Sequence, residues 1–278
     1  MSDALAMEQE MRGFSARILF LFFLLTSTAS AASPGHSSSG RGTADETPFS
    51  SDEIATFAKK VEKTLAATGA RVAIVGRVGV PLDQVPDGFH YSHVGFAVYS
   101  QITTSDGQTV PGYAMYNLYQ EDAHPERSDL VQDYPSDFFS GVHALEAGIL
   151  IPSEKLQDRI LDVIRSSTYA RLHDPHYSVI ANPYTLGRQN CTEFVLDVIT
   201  AAIYRTGDIA KIKAAENAYF TAQPVTVSPL KLLVGSMFMA GVSTSDQAGT
   251  PVTATFERIS DFVREYDAGS QAFTVQPD

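Results

Sequence analysis

Thiols, tryptophan and basic charge are the scarce commodities of this chain. Among 278 residues there is one cysteine, Cys191, and no tryptophan. A single thiol excludes an internal disulfide framework, and in an oxidising compartment it is either buried and inert or kept for chemistry. All seven histidines precede Cys191, so any Cys–His pair runs in the order His then Cys. Lys and Arg number 20 against 32 Asp and Glu, a net charge of −12. That balance excludes a nucleic-acid binder, which needs clustered basic groups for phosphates, and electrostatic docking on anionic lipid. The apolar run near the N-terminus, Ile18 to Leu25, is eight residues long, whereas a bilayer span needs roughly 20.

That run does have a function written around it. Arg12 and Arg17 precede it, and Ala29-Ser30-Ala31 follows with the small-residue spacing of a cleavage site. Residues 1–31 therefore read as a signal peptide, with Met1 or Met11 as the start. The expectation is a periplasmic or secreted protein with no integral membrane span after cleavage. No cysteine lies near the cleavage site, which excludes a lipoprotein. The cleaved chain keeps 18 basic and 29 acidic residues, net −11. Residues 32–49 are rich in Ser, Gly, Pro and Thr and read as a flexible linker. A single domain is expected over 50–278, with apolar content sufficient for one core.

Periodicity predicts the elements of that domain. Ser51-Asp52-Glu53 opens a helix with Ile54, Phe57, Ala58, Val61 and Leu65 on one face, ended by Gly69. Arg71–Val78 is a β-branched strand. Tyr91–Gln101 and Gly112–Gln120, with Asp106-Gly107 between them, form the clearest hairpin. A polar connection is expected from Glu121 to Pro135, then a strand at Ala147–Ile151 and a helix from Ser153-Glu154. The helix of Cys191 runs to about Thr206, with further helices around Ile209–Phe220 and Pro229–Met239. Strand patterns at Val252–Phe256 and Phe273–Gln276 flank a short amphipathic piece, Ile259–Tyr266. Interleaving without regular βαβ units points to an α+β fold around a small, mainly antiparallel sheet.

Asn190 is a good N-cap and Glu193 sits at the third helical position, so Cys191 falls in the first turn of its helix. Free N–H groups and the helix dipole there favour a thiolate. The alternative is a small buried hydrophobe. His93 is the best partner: it begins an apolar strand in which His93, Gly95, Ala97 and Tyr99 share one face, the small-residue face that a helix could approach. Asn117, on the return strand with Tyr113, Met115 and Tyr119, is the candidate to orient the imidazole. The Cys191 N–H is a natural oxyanion donor, and Gln189 or Tyr91 could add a side-chain donor.

His-Val-Gly-Phe-Ala at 93–97, followed about a hundred positions later by Asn-Cys-Thr-Glu-Phe-Val at 190–195, resembles the circularly permuted NlpC-type thiol hydrolases and lecithin:retinol acyltransferase. From Arg71 to Tyr204 the chain also looks like the exported bacterial domain-of-unknown-function 2145 family, through Val72–Gly79, Tyr177-Ser178 and Gln189-Asn190. The resemblance implies a permuted papain-like fold with Cys191 as nucleophile and His93 as base. Relatives often place an acid or a second histidine in the third role, and the return strand offers only Asn117. Acyl transfer on cell-envelope peptide amides, or on lipid esters, would follow; the alternative is a non-catalytic envelope binding or scaffold protein retaining the fold.

No cofactor is expected. His90-x-x-His93 and His173-x-x-His176 lack carboxylate or thiol partners at a metal spacing, so no metal site is assigned. Gly76-Arg77-Val78-Gly79 lacks the third glycine of a dinucleotide loop. Arg77 either binds a substrate carboxylate or pairs with an acid, the latter being the simpler role.

Overall fold

The computed structural model describes residues 36–37, 47–104, 106–226 and 241–278. The expected signal peptide, nearly all of the linker and the Pro229–Met239 helix lie outside these residues. The first helix, α1 (Ser51–Ala67), is capped by Ser50, one residue earlier than the sequence suggests. Its hydroxyl accepts from the Glu53 N–H while Glu53 reaches back to the Ser50 N–H, a complete capping box.

The strands are β1 (His36–Ser37), β2 (Val72–Val78), β3 (His93–Thr103), β4 (Thr109–Glu121), β5 (Ser128–Asp133), β6 (Ala144–Ile151), β7 (Gln223–Pro224), β8 (Val252–Thr253) and β9 (Gln271–Val275). The main sheet is seven-stranded, larger than expected, in the order β4-β3-β2-β6-β9 with β5 and β1 both paired to β4. Among the described residues every pairing of these strands is antiparallel. β7 and β8 form a separate pair. The remaining helices are α2 (Pro135–Phe138), α3 (Glu154–Arg165), α4 (Ser167–Arg171), α5 (Cys191–Tyr204), α6 (Ile209–Tyr219) and α7 (Phe256–Tyr266). The mixed α+β class is as the patterning indicates. Among the described residues no helix is long and apolar enough to cross a membrane.

Helices cover both faces of the sheet. On one, α1 and α2 bury Phe57, Val61, Leu65 and Phe138 against Ala73, Val75, Ala97, Met115 and Ile149. On the other, α3, α5 and α7 pack Leu161, Phe194, Val198 and Ile259 against Ile74, Val94, Phe96, Val98 and Leu150. In helix α5 every residue from Cys191 to Ile203 is buried. Buried on every side, α5 occupies the middle of the core, and its inward acids Glu193 and Asp197 are met by Lys213.

This arrangement corrects one expectation. The helix of Cys191 does not approach the small-residue face of β3. It packs on the Val94, Phe96 and Val98 face, while Ala97, and with it His93 and Gly95 by alternation, turns toward α1 and α2. Both faces of β3 are covered, so small size did not mark the side that receives α5.

Candidate active site

Cys191 opens α5 in a tightly held turn. Asn190 Oδ1 accepts from the Glu193 N–H at 2.9 Å, and the Asn190 amide donates to Val179 O and to Thr253 Oγ1. The Thr192 hydroxyl donates to Ala254 O at 2.8 Å. Losing such a cap costs about 1 kcal/mol. The return half of the capping box does not form, because the Glu193 carboxylate turns to Lys213 Nζ, 2.7 Å away.

The thiol is 4% exposed, and its sulfur meets the backbone N–H of Val94. The β3–β4 ladder runs from Thr103↔Thr109 only as far as Phe96↔Tyr116. Val94 lies beyond that last pair, so the first turn of α5 docks where the two strands part. Burial pushes the thiol above its ordinary range; the Val94 N–H and the Arg77 charge pull it back without prevailing. The sequence expectation of a thiol lowered by the helix start is therefore reversed. Desolvation outweighs the dipole when the first turn itself is buried.

His93 is fully buried at the start of β3. Its Nε2 lies 3.3 Å from Asn117 Oδ1. The ring stacks on Tyr119 with centroids 4.6 Å apart and an interplanar angle of 15°, and it meets the Phe138 ring at a tilt, 5.5 Å between centroids. The structure thus brings His93 and Asn117 together. It also supplies an acid: Asn117 Nδ2 donates to Asp133 Oδ1 at 2.7 Å, and the Tyr119 hydroxyl donates to Asp133 Oδ2 at 3.0 Å. Asp133 ends β5, inside the stretch that the sequence left as a polar connection. Ser128–Asp133 offers only Leu130 and Val131 as apolar residues, so no alternation marked it as a strand.

Arg77, cross-strand from His93, is 1% exposed. It donates to Phe138 O and lies over the Tyr119 and Phe138 rings. It is an internal cation beneath the site.

Gln189 and Tyr91, the side-chain oxyanion candidates, are committed elsewhere. Gln189 Nε2 donates to Leu172 O and Asp197 Oδ2, and its Oε1 accepts from the Asp174 N–H. Those bonds fix the approach to α5 rather than offering a donor to the sulfur. Tyr91 lies across Gly76 and Gly148, where a Cβ would come within 3 Å of its ring. Its hydroxyl reaches Glu146 Oε1 and Thr274 Oγ1, toward β6 and β9, and burial raises it to about 12. The paired histidines separate likewise: His90 Nε2 goes to Glu146 at 2.5 Å while His93 turns to β4. His173 meets Ser128 Oγ, and His176 meets Asp174.

A family model described as "Uncharacterized protein conserved in bacteria (DUF2145)" matches residues 64–263. The chain belongs to this family. The segment matched to DUF2145 carries β2 to β8 and most of α7, and with them Cys191, His93, Asn117 and Asp133. No curated protein matches the chain. A solved structure, "metalloprotein yiiX from Escherichia coli O157:H7, DUF1105", is similar to it at 12% identity and a TM-score of 0.42, covering 75% of this chain and 98% of that one.

Proposed function

We propose that this DUF2145 protein is an exported thiol hydrolase or acyltransferase of permuted papain-like type, with Cys191 as nucleophile and His93 as base. The observation that carries the proposal is the seating of the Cys191 sulfur on the Val94 N–H, one residue along β3 from a histidine already held by Asn117. The thiol sits where β3 and β4 part, one residue along β3 from the imidazole. With Nε2 engaged by Asn117, the proton of the neutral thiol passes to Nδ1 as sulfur attacks an amide or ester carbonyl. The Cys191 N–H, in the unsatisfied first turn, supports the oxyanion. Collapse expels the amine or alcohol, protonated by His93, and leaves a thioester. Water or another acceptor, deprotonated by the same imidazole, releases the acyl group. Export through residues 1–31 puts cell-wall peptide amides first among substrates and lipid acyl esters second.

Burial favours the second reading, a non-catalytic envelope protein retaining the fold: Cys191 and His93 are 4% and 0% exposed, and burial keeps the thiol protonated. Iodoacetamide labelling at pH 7 separates the two, and the single cysteine makes the adduct unambiguous. The enzyme reading expects the native chain to react at least about 100-fold faster than His93→Ala, the lower end of general-base effects. Equal rates in the two proteins would establish the non-catalytic reading.

A further inference from the structure

Asp133 does more than close a polar contact at the edge of the sheet. It pairs with Met115 across the β4–β5 ladder, which places it on the same face as Asn117 and Tyr119. An ionised carboxylate only accepts hydrogen bonds. Its Oδ1 therefore holds the Nδ2 end of the Asn117 amide at 2.7 Å and leaves the oxygen end facing His93. That oxygen also only accepts, so the imidazole must donate from Nε2. In a neutral imidazole the other nitrogen, Nδ1, then carries the lone pair. The second carboxylate oxygen takes the Tyr119 hydroxyl, whose ring is the platform under the imidazole.

We propose that Asp133 is a positioning residue that fixes the amide orientation of Asn117 and, through it, the Nε2–H tautomer of His93. The tautomer assignment stands on geometry alone; its catalytic consequence rests on the Cys–His reading above. In Asp133→Asn the introduced amide can donate as well as accept. Asn117 is then free to turn over, and the proton on His93 shifts toward Nδ1, removing the base. An exchange of this kind in a Ser-His-Asp hydrolase lowers turnover about 10⁴-fold while geometry is kept.

The test is long-range ¹H–¹⁵N correlation of the histidine rings in the full chain at pH 7.5, with the His93 signals identified by their loss in His93→Gln. The native protein is expected to show Nε2–H. Asp133→Asn should show the Nδ1–H form or a mixture, and Asp133→Glu should restore Nε2–H. An Nδ1–H signal in the native protein overturns the proposal whatever the variants do, and an unchanged spectrum in Asp133→Asn overturns it equally. Iodoacetamide rates measured on the same samples separate the two claims. A tautomer shift with a rate drop of about 100-fold or more supports both. A tautomer shift at constant rate keeps the role of Asp133 and overturns the Cys–His reading.

Discussion

Gly95 shows how little room the histidine's partner has. A Cβ at that position would lie 2.2 Å from Asn117 Oδ1 and 3.1 Å from Tyr116 O. The absence of a side chain is what lets the amide lie flat beside β3. Gly95→Ala is expected to displace Asn117, costing about 1–3 kcal/mol of stability and lowering the alkylation rate of Cys191 toward that of Asn117→Ala. Thermal melts and labelling kinetics check the two effects. At this scale the sequence was informative where chemistry and pattern coincide. Asn190 announced a cap, and alternation put Asn117 on the same face as Tyr113, Met115 and Tyr119. It was silent on Asp133, whose partners lie on a different strand, and misleading on Gln189, whose amide donates to Leu172 O and to the Asp197 carboxylate within α5.

Helix α5 is tied to α6 by charge as well as by packing. Lys213 Nζ lies 2.7 Å from Glu193, 2.6 Å from Asp197 and 3.2 Å from Glu216, with all four side chains buried. Burial pushes Glu193 and Glu216 well above the carboxylate range, with the Asp197 charge adding to the effect; for Lys213 burial works downward, but the three acids outweigh it and raise the ammonium. Removing the single cation strands the acids, so Lys213→Met should cost about 3–5 kcal/mol at neutral pH. The sign with pH follows from the raised glutamates. The folded variant holds more protons than the unfolded chain above the ordinary carboxylate pKa, so stability is fullest below it and is lost as pH rises. The melting temperature of Lys213→Met should therefore climb as pH falls from 8 to 5, and a flat or opposite trend would refute this account. Elsewhere, the C-terminal turns of α3 and α5 border a cavity of about 510 Å³ whose lining includes Arg159, Thr168 and Arg205. Arg165 in the last turn of α3 and Arg205 at the C-cap of α5 place positive charge near those carbonyl ends. The long periodic helices and the hairpin were legible as elements. Strand β5 was not, because an edge strand with one partner can afford polar residues at most positions.

At the scale of the whole molecule, 12 more acids than bases sit on a chain of 278 residues. Self-repulsion of this kind weakens the compact state and is screened within about 8 Å at physiological ionic strength. Raising sodium chloride from 10 to 150 mM should raise the melting temperature of the full chain, as scanning fluorimetry will show. The α+β class was readable from interleaved patterns. The two-sided covering of the sheet was not, since apolar alternation cannot say which face a distant helix will take. That topology also orders the assembly of the molecule in time. His93, Asn117 and Asp133 come from three consecutive strands, β3, β4 and β5, joined by short connections. Cys191 arrives from the far end of a much longer loop. Loop-closure entropy rises with length, so the hairpins have the smaller barrier. That cost therefore favours His93, Asn117 and Asp133 assembling as a local unit before the helix of Cys191 closes its longer loop onto the sheet.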